Sequence, residues 1–230
     1  MPRKNRFQRL LAPLSLRNSD ICIENRFLVL RPVRHAFCAL VFDIVGIAGV
    51  FRPRWFVFPI FALPPVLQLM NIDGVGTKYS DEPARSMPED LLSEQLCADI
   101  EASVLPFFRS VTTFDKLYAY AMHGDLQIWQ RAALHFRLEL AMGNFDAARM
   151  LMRWHSKRWS SSEMPSDYAH ERRLCTLLDA DDHTGIGRYL REIEAVVVAG
   201  YKVEHIWEPS PFPFEPEYKD WARKSGIKVE

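Results

Sequence analysis

The densest group of chemically capable side chains in this sequence is Asp179, Asp181, Asp182 and His183. Carboxylates beside an imidazole suit a divalent cation, which takes oxygen and nitrogen donors. The same residues stand just before the helical pattern 186–198. There, aspartate oxygens accept the first free backbone N–H groups and offset the helix dipole. Capping is the expected role and a metal centre the alternative. No glutamate stands where an EF-hand loop needs one. Asp73, Gly74, Val75, Gly76, Thr77 and Lys78 lack the four-residue spacing and following helix of a phosphate loop, so they read as a β-turn.

Nucleophiles are poorly provided for. Cys22, Cys38, Cys97 and Cys175 include no Cys-x-x-Cys pair and are expected to be reduced and mostly buried. Cys175 has Arg172 and Arg173 beside it, the setting that favours a thiolate. No Gly-x-Ser-x-Gly elbow offers a serine. His35 and Asp43 share a face of one apolar stretch but would lie roughly 26 Å apart along a strand. With Arg54, they read as charges reaching solvent at strand ends.

Two aromatic-rich segments could bind a partner. Met150, Met152, Arg153, Trp154, His155, Lys157, Arg158 and Trp159 mix basic and aromatic groups, as single-strand nucleic-acid binders do. At helical spacing Met152, His155 and Trp159 share one face and the basic groups mostly take the other, a core face and a solvated face. The tail carries Pro209, Pro211, Pro213 and Pro216 around Phe212 and Phe214. Such a stiff segment can dock its phenylalanines in an aromatic groove, and Trp207, Phe212, Phe214 and Trp221 are the partner-binding candidates. The alternative is that the tail packs across its own helices.

These groups need elements to hold them. The basic start, with Arg3, Lys4, Arg6, Arg9 and Arg17, reads as an amphipathic first helix rather than a signal peptide or presequence. Phe7, Leu10, Leu11 and Leu14 are its inward face. Segments 21–23, 26–31, 33–44 and 51–61 read as strands, with 33–44 apolar on both faces and therefore central. Asp43, the 52–54 segment and the prolines at 59, 64 and 65 break the apolar region 36–70, which argues against a membrane span. Gly46 and Gly49 suit a loop, 71–76 a turn, 77–79 a short strand and 80–88 a linker. A helix then buries Leu92, Leu96, Ile100, Ser103 and Phe107, with Ser86 as a possible cap and Pro106 kinking or ending it. A short helix turns Phe114, Leu117, Tyr118 and Ala121 inward. Leu126, Trp129, Ala133, Phe136 and Leu140, then Phe145, Ala148, Met152, His155 and Trp159, form an antiparallel helix hairpin. Helices at 166–178 and 184–200 follow, with Gly200 expected as a left-handed cap.

The hairpin turn Gly143, Asn144, Phe145 and Ala148 resembles the inter-helix turn of a tetratricopeptide repeat. His135 and Phe136 replace that family's Leu-Gly pair, and no second copy follows at the repeat period of about 34 residues. The resemblance covers one repeat and implies helix-on-helix packing and a leaning toward protein binding.

The fold class expected is α+β. Residues 1–82 form a helix plus an antiparallel sheet of three to five strands, 88–205 a helical region of five or six helices, and 206–230 a Pro/aromatic tail. One continuous domain is the alternative to this division. Lys+Arg and Asp+Glu are both 29, so no net charge draws the chain to nucleic acid or membrane. The layout is uneven, however. Residues 1–54 hold ten basic residues against three acids, and 71–101 hold eight acids against two basic residues. Opposed patches of that kind steer a partner or pair a protein with itself. With no catalytic motif and no cofactor signature, the functional expectation is a non-catalytic, cytoplasmic protein-binding protein, similar in style to bacterial immunity and other interaction proteins. A homo-oligomer is compatible with it. The alternative is an enzyme whose site assembles from distant residues, with a metal at Asp179, Asp181, Asp182 and His183.

Overall fold

A computed structural model describes residues 6–44, 51–62, 87–123, 128–159 and 169–227. The expected glycine loop at 46 and 49, the turn at 71–76, the strand at 77–79, Ser86 and most of the linker lie outside them. The fold is α+β: an N-terminal helix, a four-stranded antiparallel sheet, then a helical remainder. The described residues form two compact units. One comprises 6–44, 51–58, 87–112 and 205–208. The other comprises 59–62, 113–123, 128–159, 169–204 and 209–227.

In the first unit, helix α1 (Arg6–Arg17) buries Phe7, Leu10, Leu11 and Leu14, the stripe its spacing dictates. Strands β1 (Ile21–Glu24) and β2 (Phe27–Leu30) form a hairpin in which Glu24 faces Phe27. Its two-residue loop opens with Asn25 at φ +54°, a conformation asparagine tolerates well. Strand β3 (Ala36–Ile44) pairs with β2, Phe27 opposite Val41, and β4 (Phe51–Pro59) takes the far edge. Phe37, Cys38, Ala39, Leu40 and Val41 are buried in succession, as expected of a central strand covered on both faces. The rings of Phe27, Phe37, Phe56 and Phe58 cluster at centroid separations of 5.6–6.2 Å. His35 departs from expectation. It is buried in the bend just before β3 instead of reaching solvent, and the side chain of Asp43 lies outside the described residues.

Helix α2 (Glu89–Asp99) covers α1. Ser93 donates to the Leu10 carbonyl at 2.7 Å, and Arg9 pairs with Glu89 at 2.8 Å and Arg17 with Glu101 at 3.0 Å. After one π-helical turn (Ile100–Val104) the chain continues as α3 (Leu105–Ser110), whose Arg109 binds Asp20 at 2.7 Å. That pairing holds the Asp20 carboxyl below its ordinary range, against its partial burial. The π turn corrects the expected inward face. A wider turn shifts the register, so Val104, Leu105 and Phe108 are buried while Ser103 is exposed and Phe107 half-buried.

The second unit begins with a 3-10 turn (Ile60–Ala62) where sequence reading extended a strand to 61. Its helices are α4 (Phe114–His123), α5 (Ile128–Met142), α6 (Phe145–Trp159), α7 (Ala169–Asp179), α8 (His183–Tyr201) and the short α9 (Tyr218–Lys224). Helices α5 and α6 form the expected hairpin. Gly143, at φ +82°, turns the chain, and Asn144 N–H donates to the Glu139 carbonyl at 2.8 Å. Helix α8 buries Ile186, Leu190, Ile193 and Val197. It does not stop at Gly200, which is helical. Lys202 takes the left-handed position at φ +59°, Lys202 N–H donates to the Ala199 carbonyl and Val203 N–H to the Val198 carbonyl. Val203 is fully buried, so the extra residues place an apolar side chain against the helix's last turn.

Candidate functional site

Within the acidic cluster before α8, Asp182 is the helix cap. Asp182 accepts from Gly185 N–H at 2.8 Å, which satisfies one of the helix's free donors. Asp181 pairs with Arg149 of α6, and the His183 ring lies flat on Phe145, centroids 3.8 Å apart. Asp179 is exposed. Asp182 thus serves the helix end, Asp181 reaches Arg149 with His183 Nε2 3.9 Å away, and His183 stacks on Phe145. Among the described residues no three His, Cys, Asp or Glu side chains converge on a common point.

The tail is built into its own unit. Phe212 is fully buried against Phe61 (5.7 Å) and Phe114 (6.0 Å). Phe214 is half-buried, stacked on Phe212 and edge-on to Phe145 at 5.3 Å. Glu215 fastens the segment: it accepts from Phe212 N–H at 2.8 Å and takes both Arg191 guanidinium nitrogens at 2.5 and 2.7 Å. Gly143 and Gly187 make room for it, since a Cβ at either would come within 2.7 Å of Phe214 or 2.5 Å of Glu215. Trp207 is half-buried on the strand-like contact of Val33 in the first unit, and Trp221 is half-buried beside Tyr218. Own-chain packing therefore describes Phe212 and Phe214 better than a free docking segment does.

The exposed aromatic is elsewhere. On α6, Ala148 and Leu151 are buried and Met152 and His155 half-buried, while the side chain of Trp159 lies outside the described residues. One turn apart on the opposite face stand Met150, 55% exposed, and Trp154, 75% exposed. Arg149 beside them is tied to Asp146 at 3.0 Å and to Asp181. The sequence already places Trp154 off the inward series 145, 148, 152, 155, 159. Its position among Arg153, Lys157 and Arg158, off the inward series, was the available signal.

A polar knot between α4 and α5 was not legible in the sequence. The Tyr118 hydroxyl donates to Glu139 Oε1 at 2.9 Å and lies 2.8 Å from His135 Nε2, which is itself 2.9 Å from Glu139 Oε1. Asn144 Nδ2 donates to the other carboxylate oxygen at 2.8 Å. Burial and the Glu139 carboxylate push the Tyr118 phenol up to about 12. His135 and Glu139 are four apart on one helix, a spacing visible in the sequence, but Tyr118 reaches them only because α4 folds back on α5. Nearby, Arg137 is buried in a pair with Glu171 of α7 and also donates to the Ala62 carbonyl. Its charge, after burial, lowers the affinity of His170 for a proton; His170 Nδ1 lies 2.7 Å from the Tyr189 hydroxyl.

Cys175 lacks the features of a nucleophile. Burial, then Asp179 and Glu171, push its thiol up to about 12, so the adjacent arginines do not activate it. All four cysteines are unpaired thiols. No helix among the described residues is long and apolar enough to cross a membrane. No protein-family model, curated protein or solved structure matches the chain.

Proposed function

We propose that this chain is a non-catalytic, cytoplasmic protein-binding protein, of the kind to which bacterial immunity proteins belong, and that it holds its partner on the outer face of α6. The observation carrying this reading is the solvent-facing pair Met150 and Trp154. A large aromatic left in water beside a flexible thioether gives no stability to the unit. At an interface the same pair is the usual anchor, because tryptophan brings a large apolar area at small rotamer cost. Beneath it, α5 and α6 are joined by a hydrogen-bonded turn, and Ala148 is fully buried.

The test is affinity capture from the native host's lysate with wild type and Trp154→Ala in parallel, then titration of the purified partner. The expected result is one stoichiometric protein that survives moderate salt and whose affinity falls about 30-fold or more in Trp154→Ala. Sedimentation of both chains alone separates a foreign partner from self-pairing. Absence of any partner under several conditions would overturn the binding reading. An unchanged partner in the variant would leave binding but remove α6 as its seat. A second reading, an enzyme whose site assembles from distant residues, is favoured by Tyr118, His135 and Glu139 rather than by Asp179, Asp181, Asp182 and His183.

A further inference from the structure

Tyr118 Oη, His135 Nε2 and Glu139 Oε1 form a nearly equilateral triangle with edges of 2.8, 2.9 and 2.9 Å. Three hydrogen bonds would need three protons on those edges. With Glu139 as the carboxylate the knot supplies two at most, one from the phenol and one from the imidazole Nε2, because the carboxylate brings none. One edge therefore joins two electron-rich atoms with nothing between them. A cation centred over the triangle would meet all three lone pairs at once.

The size of the triangle selects the geometry. Donors about 2.1 Å from a metal lie about 3.0 Å apart on one face of an octahedron and about 3.4 Å apart in a tetrahedron. The observed edges match the octahedral face within a fraction of an ångström. The donor set is one imidazole, one carboxylate and one phenol, without thiolate. That excludes the sulfur-rich zinc and iron–sulfur classes and suits six-coordinate first-row ions such as Mn²⁺, Fe²⁺, Co²⁺ and Ni²⁺. The surroundings fit as well. Asn144 holds the second oxygen of Glu139 at 2.8 Å, which fixes the carboxylate's orientation, the part outer groups play at metal centres. The His135 side chain is 29% exposed and that of Glu139 only 9%, so the imidazole is reachable from solvent while the carboxylate is held in place.

We infer that Tyr118, His135 and Glu139 form a facial binding site for a six-coordinate divalent transition-metal ion, with Asn144 as its positioning residue. The inference is independent of the partner face on α6, which could operate with or without the ion.

The test is calorimetric titration of Co²⁺ into the tag-free full chain in chelator-free buffer, with the visible spectrum recorded alongside. The expected result is one Co²⁺ per chain with the weak bands of six-coordinate cobalt. His135→Gln and Glu139→Gln should each weaken binding about 30-fold or more, and Asn144→Ala and Tyr118→Phe about tenfold. His205→Gln, which alters another exposed histidine, should bind as wild type does. Circular dichroism checks each variant's fold. If the first two variants unfold, Asn144→Ala and Tyr118→Phe decide the question. Absent saturable binding, an affinity unmoved by these substitutions, or the intense spectrum of tetrahedral cobalt would overturn the inference.

Discussion

Gly200 shows how one residue can be read in two ways with opposite consequences. As a left-handed cap it would resist any side chain, because positive φ penalises a Cβ. In the structure it is helical, and a Cβ there would meet nothing within 4 Å. Gly200→Ala should therefore stabilise the chain by about 0.5–1 kcal/mol, by removing backbone freedom from the unfolded state. Chemical denaturation monitored by circular dichroism measures it, and a loss of stability would return the cap to position 200. The sequence signal was sound in kind, since a left-handed cap does close this helix. It was misplaced because glycine marks where such a cap is cheap, whereas the buried Val203 determines where the chain turns. Tyr118, His135 and Glu139 were illegible for a different reason. Their meeting depends on a tertiary fold-back that no local spacing records. The capping role of Asp182 is local, and it was readable.

Element boundaries followed sequence where periodicity was undisturbed. The α1 stripe, the strands and the α5–α6 hairpin stand close to where their patterns place them. The face of the helix from residue 89 onward drifted because a π turn at Ile100–Val104 breaks the period just before Pro106, a residue with no N–H to donate. Polar residues in mid-helix were the other blind spot. Arg137 and Glu171 tie α5 to α7 with side chains only 5% and 2% exposed, a pairing that helical amphipathicity alone assigns to a surface. Removing one member strands the other charge away from water. Arg137→Met and Glu171→Leu should each cost about 3–5 kcal/mol, and the double replacement distinctly less than the sum. A double-mutant cycle in urea tests this. Additive losses would show that the two side chains act separately.

At the scale of the whole molecule, sequence texture suggested a division near residues 83–88, sheet before and helices after. The charge layout carried different information. The basic N-terminal region and the acidic stretch around residues 89–101 look like opposed surfaces for a partner, yet Arg9–Glu89 and Arg17–Glu101 join them inside one unit. Helix α2 also packs on α1, whose Leu10, Leu11 and Leu14 are all at 0% exposure, and is held there by the bond from Ser93 to the Leu10 carbonyl. A cut at residue 87 would strip α2 from α1, and it would also remove 205–208, whose backbone bonds to Val33 complete the unit. Exposed surface ion pairs contribute little, so the loss is chiefly of buried apolar area, at roughly 25 cal/mol per Å². A fragment of residues 1–87 should therefore show no cooperative thermal transition and should bind a hydrophobic dye, whereas the full chain melts cooperatively. Adding the separately prepared 88–230 fragment should restore order only if α2 can dock on α1 in trans. A fragment 1–87 that folds cooperatively by itself would establish the division suggested by texture and reduce the α1–α2 contact to a surface association.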